Sequence, residues 1–155
     1  MDRTPAGHHQ RMTQLTARAH VVVEASPEQV WEGLTSPELT RRWMLGAEVR
    51  SDFVPGSTIT WSGLVGGQAF EDSGTVLEVD PPRRLRTTHR SGGLAKADAP
   101  VDPHVVTYDV VPEHGATLVT VTQEGQDQTP DSVAQYEQTW AQMLAALKDV
   151  VEHEA

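Results

Sequence analysis

The chain has 155 residues, 12 Lys and Arg against 22 Asp and Glu, a net charge of −10 and no cysteine. That length fits one domain with a real core, and the missing cysteines exclude disulfides and thiol catalysis. The negative field excludes a nucleic-acid or anionic-membrane surface, because Arg41-Arg42, Arg83-Arg84 and Arg86 are too few and too mixed with acids to override it. Apolar runs are only a few residues long, so neither membrane insertion nor a signal peptide is expected and a cytoplasmic location follows by default.

Residues 1–12 are polar, with a Pro and a Gly, and read as a disordered tail ahead of a single domain over 13–155. His8-His9 lacks a nearby Cys or acid to complete a metal set. From Leu15 the pattern alternates: Leu15, Ala17, Ala19, Val21 and Val23 on one face, Thr16, Arg18, His20 and Glu24 on the other. Two helix starts follow ten residues apart, Ser26-Pro27-Glu28 and Ser36-Pro37-Glu38. In each, Ser is a good N-cap, Pro suits the first helical position, and the acid sits at the positive end of the helix dipole. This predicts short helices over 27–34 and 37–43, with apolar stripes at Val30, Trp31 and Leu34 and at Leu39 and Trp43.

Six strands are expected near 46–52, 57–63, 69–80, 83–90, 104–112 and 116–124. Turn signals separate them: Val54-Pro55-Gly56, the glycines of Leu64 to Gln68, Asp80-Pro81-Pro82 and Glu113-His114-Gly115. Ser91 to Pro103 reads as an irregular loop whose composition suggests a mobile flap. A last helix, capped by Asp131 or Thr129 and running from about Ser132 to His153, carries Val133, Tyr136, Trp140, Met143, Leu144, Leu147 and Val151 on one face.

The order is α+β: strand, two short helices, six strands, one long helix. Antiparallel strands need a cover, and a long amphipathic helix supplies one. This arrangement resembles the START-like helix-grip fold of the SRPBCC, or Bet v 1-like, superfamily. Within it the chain is most similar to the homologues of the heat-shock protein 90 ATPase activator. The residues that carry the resemblance are Pro27, Val30-Trp31, Leu34, Pro37, Leu39 and Trp43, the run Gly74 to Pro82 with Leu85, and Trp140, Leu144 and Leu147-Lys148. It implies a curved antiparallel sheet of about seven strands, with the long C-terminal helix over a cavity. Family members often carry an aromatic where this chain has His89 and a Gly where it has Thr139, so the resemblance implies a more polar interior here.

Given that fold, alternation nominates the cavity lining. Ile59 and Trp61 share a face, as do Leu85, Thr87 and His89, then Val106, Tyr108 and Val110, then Val119, Val121 and Gln123. Tyr136, Trp140, Met143 and Leu144 face them from the helix, while Phe53, Phe70 and Trp43 close the ends. The nominated ligand-binding residues are Trp43, Trp61, Phe70, His89, Tyr108, Val121, Gln123, Tyr136, Trp140 and Met143, an apolar and aromatic set typical of small-molecule sites. The same residues could instead pack against one another as a filled core.

His89 and Tyr108 could hydrogen-bond a ligand carbonyl, act as acid and base, or serve as satisfied core residues. Glu78 reads as orienting strands or pairing with an Arg, and Glu71-Asp72 as solvated loop acids. There is no GxSxG, P-loop or HExxH, so no catalytic residue, metal site or cofactor is assigned. The expected function is non-catalytic binding of a hydrophobic small molecule, lipid or aromatic polyketide-like, with a metabolic or stress role and homodimerisation left open. The alternatives are a polyketide cyclase or aromatase-like enzyme and a chaperone-ATPase-activator-like interaction module.

Overall fold

The structure is a computed structural model in which residues 15–91 and 103–154 are described. The expected tail over 1–12 and nearly all of the expected loop over 91–103 lie outside the described residues.

The elements follow the expected order: β1 (Leu15–Val23), α1 (Pro27–Thr35), α2 (Pro37–Trp43), β2 (Glu48–Ser51), β3 (Thr58–Val65), β4 (Gln68–Asp80), β5 (Arg84–His89), β6 (His104–Glu113), β7 (Ala116–Gly125) and α3 (Pro130–Glu154). The strands form one antiparallel sheet in the order β1-β7-β6-β5-β4-β3-β2, a meander whose last strand returns to pair with the first. This is the α+β helix-grip fold, with a long C-terminal helix across a curved seven-stranded sheet.

Local sequence explains the entry into the fold. The Ser26 hydroxyl accepts from Gln29 N–H while the Gln29 side chain accepts from Ser26 N–H, a reciprocal capping box with Pro27 at the first helical position. Ser36 then ends α1 and caps α2, its hydroxyl facing Leu39 N–H, so one residue turns the chain between the two helices. Thr129 caps α3 in the same manner, exchanging bonds with Ser132; Asp131 lies in the first turn instead. Two hairpins are tighter than the sequence suggested. Gly66-Gly67 and His114-Gly115 each supply two consecutive residues with positive φ, the two-residue turn that matches strand twist, so the flanking strands run right up to it.

Two buried clusters result. The larger joins β1 and β5–β7 to all three helices through Val23, Val30, Leu34, Trp43, Val119, Val121, Leu144, Leu147 and Val151. The smaller, Ala47, Val49, Ile59, Trp61 and Val76, lies over β2–β4. α3 packs along β1 and against α1 and α2, and α2 packs against β2. At Gly33 a Cβ would stand 2.8 Å from Val151 Cγ2, so a residue without a side chain lets α1 press onto α3.

Candidate ligand-binding cavity

A cavity of about 310 Å³ lies where the two clusters meet. That is at the lower end of the range of small-molecule sites, roughly 300–1,000 Å³. Ala47, Trp61, Phe70, Asp72 and His89 line it from the β2–β5 side, Val106, Tyr108 and Gln123 from β6 and β7, and Tyr136, Thr139, Trp140 and Met143 from α3; Met44, Leu45 and Ser91 complete the wall.

Eight of the ten nominated residues are therefore brought together: Trp61, Phe70, His89, Tyr108, Gln123, Tyr136, Trp140 and Met143. Trp43 and Val121 are not on the wall. Trp43 is buried at the end of α2, its indole N–H donating to Gly33 O at 2.8 Å, which ties α2 to α1. Val121 faces inward as expected but is fully covered within the larger cluster. Alternation gives the face of the sheet; it does not say which part of that face the helix already fills.

The polar groups are more connected than expected. His89 Nε2 is 3.1 Å from Asp72 Oδ2, and the His89 ring lies against Trp61 with centroids 5.1 Å apart. Asp72 is thus no solvated loop acid: it stands on β4, two residues from Phe70, on the cavity wall. A second set runs from the surface inward. Asp127 Oδ1 is 2.7 Å from His104 Nε2, Gln123 Nε2 is 2.7 Å from His104 Nδ1, and Trp140 Nε1–H donates to Gln123 Oε1 at 2.7 Å. Tyr136 meets the His104 ring edge-on, and Gln128 is buried beside the network, its amide donating to the Gln123 and Leu15 carbonyls. The sequence reading passed over His104, although it stands two residues before Val106 on the same strand and shares its inward face. Gly125 leaves room for it, since a Cβ there would lie 2.3 Å from the ring.

Tyr108 packs edge-on against Trp140 with ring centroids 5.8 Å apart. Its hydroxyl has no hydrogen-bond partner among the described residues, and burial pushes its pKa well above that of an ordinary tyrosine, so it is a neutral donor at the wall. The Tyr136 hydroxyl is shifted in the same direction by burial and by the charge of Asp127. Thr87 is buried two residues before His89 on β5, its hydroxyl unpartnered. No group of three His, Cys, Asp or Glu that could hold a metal occurs among the described residues, and no described helix is long and apolar enough to cross a membrane.

The cavity thus combines an aromatic box with two anchored polar sets on a helix-grip frame, and comparison with known proteins agrees with that frame. The family described as activator of Hsp90 ATPase homolog 1-like protein matches residues 24–152. The chain belongs to this family. Its fold is also that of ChR145 from Cytophaga hutchinsonii, at 35% identity and a TM-score of 0.74, over 90% of this chain and 95% of that one. The Aha1 dimer from Colwellia psychrerythraea shares the fold at 21% identity and a TM-score of 0.70, over 89% and 96% of the two chains. DynU16, from the dynemicin biosynthetic locus, shares it at 22% identity and a TM-score of 0.72, over 88% of this chain and 47% of that one. No curated protein matches the chain.

Proposed function

We propose that this family member is a cytoplasmic binding protein for a flat, largely apolar small molecule, which it holds between α3 and the sheet without changing it chemically. The carrying observation is the cavity of about 310 Å³ walled by Trp61, Phe70, Tyr108, Tyr136, Trp140 and Met143. Aromatic walls give apolar contact with little entropy cost, and a few placed polar groups set orientation. Residence of DynU16 in a biosynthetic locus and the dimer formed by the Colwellia Aha1 protein are properties of those proteins; they make a metabolic ligand and a homodimer worth testing here.

The test is binding of a neutral, environment-sensitive probe, N-phenyl-1-naphthylamine. Thr139 lines the cavity yet is exposed, so Thr139→Trp adds bulk there without forcing the core apart. The parent should bind the probe one-to-one, and the variant at least tenfold more weakly with an unchanged circular dichroism spectrum. Equal binding by both removes the cavity assignment.

One observation favours a second reading. His89 carries its own orienting carboxylate, Asp72, and an imidazole so held is the common form of a general base. In this reading His89 takes a proton from the carbon next to a bound carbonyl and returns it. Deuterium uptake by 2-tetralone in heavy water, accelerated by the protein and lost in His89→Ala, would establish it; no acceleration by the parent discards it.

A further inference from the structure

The network behind the cavity wall fixes which way one amide points. The indole N–H of Trp140 can only donate, so the Gln123 atom 2.7 Å from it is the oxygen. The Gln123 nitrogen is then the atom 2.7 Å from His104 Nδ1, which must accept and therefore carries no proton. His104 holds its proton on Nε2 and directs it to Asp127, 2.7 Å away. Turning the amide over would set N–H against N–H at Trp140. Gln123 itself is only 6% exposed, so water does not rescue the reversed form.

An amide nitrogen carries two hydrogens, and His104 takes one. Gln123 also lines the cavity, between Val106 of the neighbouring strand and Trp140 of α3. We infer that the second Gln123 N–H is a fixed hydrogen-bond donor presented to the cavity, and that the ligand is a carbonyl compound whose oxygen accepts it. This rests on the binding function proposed above and adds the chemical class of the ligand: a flat apolar body bearing a ketone or quinone oxygen. Cross-strand register separates this point from the His89–Asp72 pair. Gln123 stands opposite Val106, Val106 opposite Thr87, and Thr87 two residues from His89. With strands about 4.8 Å apart and about 3.3 Å per residue, the two Cα atoms are roughly 12 Å apart. The Gln123 amide meets His104 and Trp140, so a carbonyl that it holds lies on that side of the cavity, beside Trp140.

A matched pair of probes separates this inference from the reading beneath it. 2-Acetylnaphthalene and 2-isopropenylnaphthalene have the same planar shape and differ in one atom, an acceptor oxygen against a CH₂. Gln123→Met keeps the length of the side chain and removes its donors. In that variant, affinity for the ketone should fall about five- to tenfold relative to the alkene, the size expected for one buried hydrogen bond. A ketone-to-alkene ratio equal in parent and variant overturns the inference and leaves the binding function standing. Failure of both compounds to bind the parent overturns both. A measurement on the parent alone decides the matter should the variant not fold. The Gln123 side-chain amide protons should shift downfield on adding the ketone and stay in place on adding the alkene. Shifts of equal size with the two compounds overturn the inference.

Discussion

Trp140→Phe isolates the hydrogen bond at the centre of the network. Phe keeps a ring facing Tyr108 and removes the indole N–H together with part of the bicycle. The lost donor leaves Gln123 Oε1 buried and unpaired, which costs about 1–3 kcal/mol. The missing part of the indole, on the order of 40 Å³, adds about 1 kcal/mol at about 24 cal/mol per Å³ of unfilled space. Urea unfolding followed by circular dichroism should therefore show a loss of about 2–4 kcal/mol. Packing alone could account for some of that, so the decisive number is a coupling. Gln123→Met destroys the same bond from its other end, and the double variant should cost roughly 1–2 kcal/mol less than the two single losses added together. A single-variant loss below about 0.5 kcal/mol, or additivity within about 0.3 kcal/mol, would refute the claim that Trp140 and Gln123 hold each other.

Nitrogen NMR of His104 should report the tautomer with the proton on Nε2, as the order of donors from Trp140 to Asp127 requires; the Nδ1–H tautomer would break the chain of reasoning. Tyr108 has a folded pKa above its unfolded value of about 10, so its stabilising effect is complete below pH 10 and is lost as pH rises beyond it. Ultraviolet titration should show Tyr108 ionising only with alkaline unfolding, and Tyr108→Phe should flatten the fall in stability above pH 10. Glu152 is depressed by its hydrogen bond from Lys148 and by the backbone N–H of Glu24, so its contribution is present above its unfolded pKa and disappears as acid protonates it. Glu152→Gln should accordingly destabilise slightly at neutral pH and not at all near pH 2; an equal effect at both would rule out the ionic origin.

Residue pattern and residue position were legible to different depths. Ser-Pro-acid starts, Gly-containing turns and the Asp80-Pro81-Pro82 break are local signals, and they located both short helices and the β2–β3, β3–β4, β4–β5 and β6–β7 turns. Period-two alternation correctly turned Trp61, His89, Tyr108 and Gln123 to the concave face. It also turned Val121 inward, where the larger cluster covers it completely, because alternation has no knowledge of how that face is filled. The same rule, applied two residues on from Phe70 and two back from Val106, reaches Asp72 and His104, so their inward facing was available and unused. Their partners were not. Which carboxylate meets which imidazole depends on register, and the β4–β5 register shifts between Val76 and Glu78. Gly74 lies two residues before that shift, and a Cβ there would stand 1.9 Å from the Thr88 carbonyl oxygen. With no side chain there, β4 and β5 close up beside the Ser73–Arg90 bridge, and His89 comes within reach of Asp72. A close approach of this kind leaves no period in the sequence, only a glycine that reads equally well as a turn. The chemistry of the cavity is set by that closeness and by one indole N–H, which is why the pattern yields a list of lining residues and the structure alone yields the direction of a proton.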